Sequence, residues 1–461
     1  CDMNDKNGDS LVKSQENMPT NVQSEAVRTI SKVEFKIEER QRLLKILYGQ
    51  QLITSFGSGM VSPFLSVYLI KIGGSASDLG WFQAVTNFFT NTAQIFWGRL
   101  SDVTGRRVMF IVVGSILSSI LWAFMIGVRS PELFILIIAL QSFLASMSAP
   151  ALSALIAELS PTMQRGAVIG VVNAMGAASS LFATLISGFV MQMSLTSDVF
   201  IIPFIVASIS GIAGSLLMLK MKSVDRISKR VEVKNLFKYS LFSPFRNRTF
   251  KMFISASFLS NFMMAISWPL FNITTIELLN ATMLEIAILS VISGFSTFIS
   301  QRYVGKLADK VGRRSLMLIN RFGLVSVPLF YAFAPDMSIL YISSLSTGVL
   351  IAVGNVAFIA YVIDVSNPIE RASYIALYNA ANGTSAFFGS LLGGYIGNTM
   401  IEKFGLRNGL MYTYLISAVG RASAALMFLK VKDVMKFPET IFSEFIKITD
   451  KIHHKNKSQQ N

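Results

Sequence analysis

The sequence predicts an all-α membrane protein of twelve transmembrane helices in two homologous six-helix halves. Three observations predict it. The chain is too apolar for a soluble fold, its apolar residues gather into bilayer-length stretches, and one glycine–arginine loop occurs twice, half a chain apart. Of its 461 residues, 52% are hydrophobic and only 15% are charged, against about 25% charged in a soluble domain. No polar region is long enough to supply a second, soluble domain.

A helix needs about 20 apolar residues to cross the roughly 30 Å hydrocarbon layer. Stretches of that kind lie near 44–70, 77–98, 107–127, 133–157, 167–193 and 199–219, then near 250–275, 284–304, 315–334, 338–363, 372–399 and 409–430. We number these segments one to twelve. Residues 1–43 read as an N-terminal tail without a secretory signal, and Val33–Leu44 has helical spacing that runs into segment one. Residues 44–219 form the N-terminal six-helix half, 220–249 a basic loop, 250–430 the C-terminal six-helix half and 431–461 a polar tail. Pro63, Pro150 and Pro269 fall inside segments, where neighbouring protein or water must satisfy the freed backbone groups.

The net charge of +15 is distributed as a topology signal rather than as a nucleic-acid surface. Ten Lys/Arg lie between Lys220 and Lys251, against Asp225 and Glu232. Loops on the same side carry Arg99, Arg106, Arg107, Arg165, Lys306, Lys310, Arg313, Arg314 and Arg371, whereas the alternate loops hold only Lys71, Arg129, Lys403 and Arg407. Both termini and the central loop are therefore expected in the cytoplasm, in a multi-pass protein of the cell membrane.

Several function classes drop out. The only histidines, His453 and His454, sit in the tail, and Cys1 is the only cysteine, so no metal cluster, disulfide framework or His-based nucleophile relay is expected. The chain reads as no enzyme, with no cofactor and no metal. It has no G-x-x-x-x-G-K-[ST] loop for ATP and no pore-lining selectivity loop.

The loop after segment two reads Gly98-Arg-Leu-Ser-Asp102-Val-Thr-Gly105-Arg106-Arg107. The loop after segment eight reads Gly305-Lys-Leu-Ala-Asp309-Lys-Val-Gly312-Arg313-Arg314, about 207 residues later. Arg165 answers Arg371, and Asn173 answers Asn379, at nearly the same offset. Such agreement marks two duplicated halves. The glycines allow a tight turn, and each aspartate at a helix end calls for a partner among the local arginines or at a helix N-terminus.

With these loops in both halves, residues 44–430 resemble the major facilitator superfamily (MFS). The resemblance implies the MFS fold, a carrier whose solute site lies between the halves and opens alternately to each side. It also implies that the two loops, with Arg165 and Arg371, act as a gate on the cytoplasmic side. Segment five lacks the proline of the G-P-x-x-G-G motif common in drug–proton exchangers, which weakens drug export.

Polar side chains at membrane depth are candidate solute contacts, though each also serves as helix–helix glue. Gln83, Asn87, Asn91 and Gln94 fall on one face of segment two. Gln141, Asn261, Trp268, Asn355 and Asn379 complete the substrate-binding candidates, Asn261 and Asn355 because by resemblance segments seven and ten line the cavity. Arg321 is expected to snorkel back to the basic loop. Arg421, in mid-segment twelve, reads either as an anion-binding residue or, preferably, as a structural partner of backbone carbonyls.

The expected function is secondary active or facilitative transport of a small organic solute by alternating access, by a monomer in the lipid bilayer. A proton-coupled multidrug or metabolite exporter is the alternative, and a non-transporting membrane receptor a remote one. No Asp, Glu or His lies near mid-depth, which favours facilitated diffusion over proton coupling through Glu158 or Asp364.

Overall fold

The computed structural model describes residues 20–160, 165–194, 198–221, 243–367 and 370–433, without the side chains of residues 20–37, Arg165 and Asp309. Residues 1–19, most of the basic loop and most of the C-terminal tail lie outside the described residues. Those described form helices and no strand.

Ten helices are long and apolar enough to cross a membrane. Two facts bring that figure to the expected twelve. The helix Ala76–Thr104 has the length but carries four amides, Gln83, Asn87, Asn91 and Gln94, which lower its apolarity. The stretch Arg371–Met427 is broken at Gly405, whose φ of 78° and ψ of 166° lie outside the helical region. The chain reverses there, because both sides of the break pack on segment seven. Gly397 lies against Leu270, and the Tyr414 hydroxyl is 2.5 Å from that of Thr274. Segment one is a continuous helix from Thr20 to Val61, extended by a tight turn at Pro63 and the helix Leu65–Lys71. The helical spacing of Val33–Leu44 is thus realised.

The duplication is visible in how helices begin and end. Segment two starts at a capping box of Ser75 and Asp78, segment eight at one of Thr282 and Glu285, and the helices run Ala76–Thr104 and Met283–Val311. These starts are 207 residues apart. Segments three and nine start at Arg107 and Arg313, only 206 apart. One residue is therefore missing from the second loop. Gly105 and Arg106 join segments two and three, while Gly312 alone joins eight and nine, at φ 64° and 86° for the two glycines. The paired arginines consequently match Arg107 with Arg313, not Arg106 with Arg313.

We call the side bearing these loops the motif end and the opposite side the far end. At the far end one hydrophobic core spans both halves and includes Phe64, Leu79, Phe82, Phe204, Leu270 and Tyr414. At the motif end there are two separate cores. One belongs to the N-terminal half, around Leu47, Ile111 and Leu155; the other belongs to the C-terminal half, around Phe253, Tyr361 and Tyr378. Small residues let the halves meet from mid-depth to the far end. A Cβ on Gly394 would stand 2.8 Å from Gly80 Cα, and one on Gly188 2.5 Å from Ala287 Cβ. Trp81 Nε1 donates to the Tyr395 hydroxyl across the same seam at 3.2 Å. The outer faces of the helices carry Leu136, Phe182, Ile209 and Val419 exposed, as lipid contact requires.

The glycine seam generates a prediction. Gly394→Val puts methyl groups into backbone at Gly80 and Ala76, an overpacking of about 1–3 kcal/mol. Spin labels at Ser77 and Lys403 should then report a longer distance across the far end than in the parent protein. An unchanged distance distribution would show that the seam does not hold the far end shut.

Candidate functional site

At the motif end, the loop arginines tie helices together within each half. Arg107 lies between two acids, its Nε 2.8 Å from Glu158 and its NH2 3.5 Å from Asp102. Because Asp102 is in the last turn of segment two and Glu158 in the last turn of segment four, one guanidinium joins three helix ends. Arg313 repeats the arrangement, with Nε 3.2 Å from Asp364 at the end of segment ten. Glu158 and Asp364 stand 206 residues apart, the same spacing as their arginines. Arg314 faces elsewhere: its backbone N–H donates to Asp433 at 2.9 Å and its guanidinium to the Leu429 carbonyl at 2.6 Å. Arg106 is exposed, and Arg371 reaches the Ser366 hydroxyl at 3.4 Å. Gly98 allows segment two to approach Pro150 of segment four, whereas a Cβ on Gly305 would meet open space. The side chains of Asp309 and Arg165 lie outside the description. Each of these ion pairs stays within one half.

A chamber of about 580 Å³ sits in the far-end part of the C-terminal half, bounded by segments seven to ten and reached by Pro63 and Ala177 of the N-terminal half. It shares Ala177, Gly294 and Thr297 with a groove of about 720 Å³ between segments five and eight, which runs toward the motif end past Asn173, Arg302 and Tyr303. A further cavity of about 1020 Å³ lies among Arg246, Lys251 and Lys430 at the motif end, away from this path. Both chamber volumes fall in the range of about 300–1,000 Å³ common for small-ligand pockets.

The amides expected to bind solute separate into groups. In segment two, Asn87 and Asn91 each donate to the carbonyl four residues back, at 2.8 Å, and Asn91 packs on Gly383 of segment eleven. Asn379, one turn before Gly383, is on the face that meets them. These three therefore converge between the halves. Asn355 is exposed, one turn beyond Ile351 on the side of segment ten that lines the chamber. Asn261 is different. Its amide donates to Asn382 O and Ser385 Oγ, both at 2.9 Å, and so fastens segment seven to segment eleven. Gln141 and Trp268 are half-buried and make no hydrogen bond among the described residues. Sequence reasoning missed the hydroxyls of the chamber and Arg302, because single Ser, Thr and Arg residues carry no motif. The signal available was the helical spacing of Ser290, Ser293 and Thr297.

Arg421 is 3% exposed and holds two broken helices. It donates to the Leu324 carbonyl at 2.7 Å, to the Met264 carbonyl at 2.9 Å and to the Ser267 hydroxyl. Leu324 O is the acceptor that Pro328, lacking an N–H, leaves open four residues later in segment nine. Met264 and Ser267 flank the break before Pro269 in segment seven. The structural reading of Arg421 is thus the one its geometry supports. The expected snorkelling of Arg321 is corrected: the residue is 7% exposed, its guanidinium 4.3 Å from the Phe358 ring and against Met264 Sδ. Stacking on an aromatic face and close packing hold it in the core instead of at the membrane surface.

Two six-helix halves, with one shared core, two separate ones and a cavity lined by residues of both, define a solute carrier that works by alternating access. The chain belongs to the Major Facilitator Superfamily, whose model matches residues 47–267 and again 253–439. An uncharacterised MFS-type transporter of Methanocaldococcus jannaschii is 25% identical over 364 residues, 75% of this chain and 85% of that protein. The quinolone resistance protein NorA of Staphylococcus aureus is 29% identical over 150 residues, 32% of this chain and 38% of its own. Among solved structures, the nucleoside transporter NupG superposes with a TM-score of 0.63 at 15% identity, covering 84% of this chain and 98% of that one.

The two buried arginines should behave oppositely. Arg421→Ala leaves the Leu324 carbonyl without a donor and the Met264 carbonyl with only the 3.3 Å bond from the Ser267 hydroxyl, a loss of about 1–3 kcal/mol, and should lower the Tm of the purified protein by several degrees. Arg321→Met replaces a cation that donates to no oxygen by an apolar side chain and should leave Tm unchanged or raise it. Equal losses in both variants would contradict the distinction.

Proposed function

We propose that this protein carries a small organic solute by facilitated diffusion across the cell membrane, with the motif end, both termini and the basic loop in the cytoplasm. The observation that carries the reading is the distribution of cores, shared at the far end and divided at the motif end. Two bodies that pack separately at one end can rock about the seam at the other and expose the cavity to each side in turn. The excess of Lys and Arg in the motif-end loops supports the orientation.

In this reading the two loops, Gly98 to Arg107 and Gly305 to Arg314, with Arg165 and Arg371, are the gate. The arginines hold acids of their own half while the motif end is open, and exchange them for partners across the halves as it closes. The working unit is one chain, with 44–219 and 250–430 as the moving halves, and it performs no covalent chemistry. Among the described residues, no titratable acid lines the chamber or the groove. Glu158 and Asp364, the rival proton carriers, are each engaged by an arginine. Export of drugs is a second reading, favoured by the likeness to NorA.

Three measurements test this. Single cysteines at Asp225–Asn247 should resist impermeant reagents in whole cells, while cysteines at Ser77 or Met337 should label; the reverse pattern would invert the orientation. Asp102→Asn should slow transport while ligand affinity stays within about tenfold, a bias near 1 kcal/mol on the gate. In proteoliposomes an imposed pH gradient should not drive uphill accumulation, and accumulation that Glu158→Gln or Asp364→Asn abolishes would establish proton coupling.

A further inference from the structure

Several hydroxyls around the chamber keep their donors free of the helix backbone, in contrast to many others in this chain. Within the helices, Thr54, Thr86, Ser153, Ser215, Thr413 and Ser423 each donate to the carbonyl four residues back. This is the ordinary way for a helix to silence a hydroxyl in an apolar setting. Around the chamber, Thr275 and Thr297 follow that rule, but Ser290, Ser293, Ser343, Ser344, Thr347 and Tyr331 donate to no protein group among the described residues, and the side-chain amide of Asn272 is likewise unengaged. Ser343 Oγ has no surface open to the cavity, whereas Ser290, Ser293 and Thr347 are half-buried and line it.

The groups converge from four helices. Ser290 and Ser293 share one face of segment eight, and Ser344 and Thr347 one face of segment ten. Asn272 comes from segment seven and Tyr331 from segment nine. The Phe271 and Tyr331 rings, 4.3 Å apart between centroids, add a flat apolar wall. Among the described residues, no Asp, Glu, Lys, Arg or His lines the chamber. A charged group entering it would leave water without a counter-charge, whereas hydroxyl or amide groups would find donors and acceptors on several sides.

We propose that this chamber is the solute site and that its solute is neutral, carrying several hydroxyl or amide groups, with Ser290 and Thr347 among the groups that bind it. The inference rests on the reading of the protein as a solute carrier and adds the chemical class of what is carried.

The test is thermal unfolding of the full-length purified protein with a defined panel. Neutral probes are D-glucose, D-mannitol, myo-inositol and uridine; charged probes are D-gluconate, D-glucosamine and tetraphenylphosphonium. At least one neutral probe should raise Tm in a saturable way. Ser290→Ala with Thr347→Val should weaken that probe about tenfold, the loss of one or two hydrogen bonds. Stabilisation by charged probes only, by no neutral probe, or by a neutral probe to which the double variant is indifferent would overturn the proposal. A charged probe that binds and crosses proteoliposome membranes sinks the solute class and leaves the carrier reading standing. Failure of spin-label distances between the halves to respond to any bound probe sinks the carrier reading itself.

Discussion

In hydrocarbon there is no water to accept a stray backbone hydrogen bond, so every peptide group in this chain must find its partner inside the protein. That constraint explains the helices, and it also explains their interruptions. Segments seven and nine break at Pro269 and Pro328, and the carbonyls exposed near those breaks are collected by one side chain, Arg421. A buried guanidinium is costly in isolation, but here it donates to the Leu324 carbonyl, left open by Pro328, and to the Met264 carbonyl and Ser267 hydroxyl beside the other break. Two bent helices and one cation are thus a single unit, and segment seven, which borders the cavity, owes its shape to it.

The same solvent makes hydrophobicity a poor glue between helices, because lipid is as apolar as any leucine. Close approach takes its place. Gly80 with Gly394 and Gly188 with Ala287 bring backbones together where the halves meet, and Trp81 and Tyr395 add one polar contact to that seam. Toward the motif end the halves rely on internal bonds instead. Arg107 gathers three helix ends of one half, and Arg313 does the same work in the other. Each half is therefore rigid on its own at that end, which is what a rocking body requires.

Much of this was legible in the sequence because bilayer length, charge asymmetry and duplication are patterns that survive without coordinates. The twelve segments, the partner of Asp102 and the structural role of Arg421 follow from such patterns. Two things did not. Arg321 was expected at the surface because depth can be counted along a helix but helix orientation cannot. Its ring partner Phe358 belongs to a different segment, 37 residues away. The solute chamber escaped for a related reason. Amides stand out in an apolar stretch, whereas serines and threonines are common helix residues whose meaning depends on whether a carbonyl nearby takes their proton. Asn261, prominent in the sequence, is committed to segment eleven.

The missing residue at Gly312 breaks the twofold relation between the halves. With Arg313 occupying the place of Arg107, the next arginine is turned about 100° around the helix and has no twin. Arg314 uses that direction to grasp Leu429 and Asp433, just beyond segment twelve, while Arg106 points to solvent. The second loop is therefore tied to the end of segment twelve through Arg314. A load carried along segment twelve has a mechanical route to that loop, so the two doors of this carrier need not answer to the same hand.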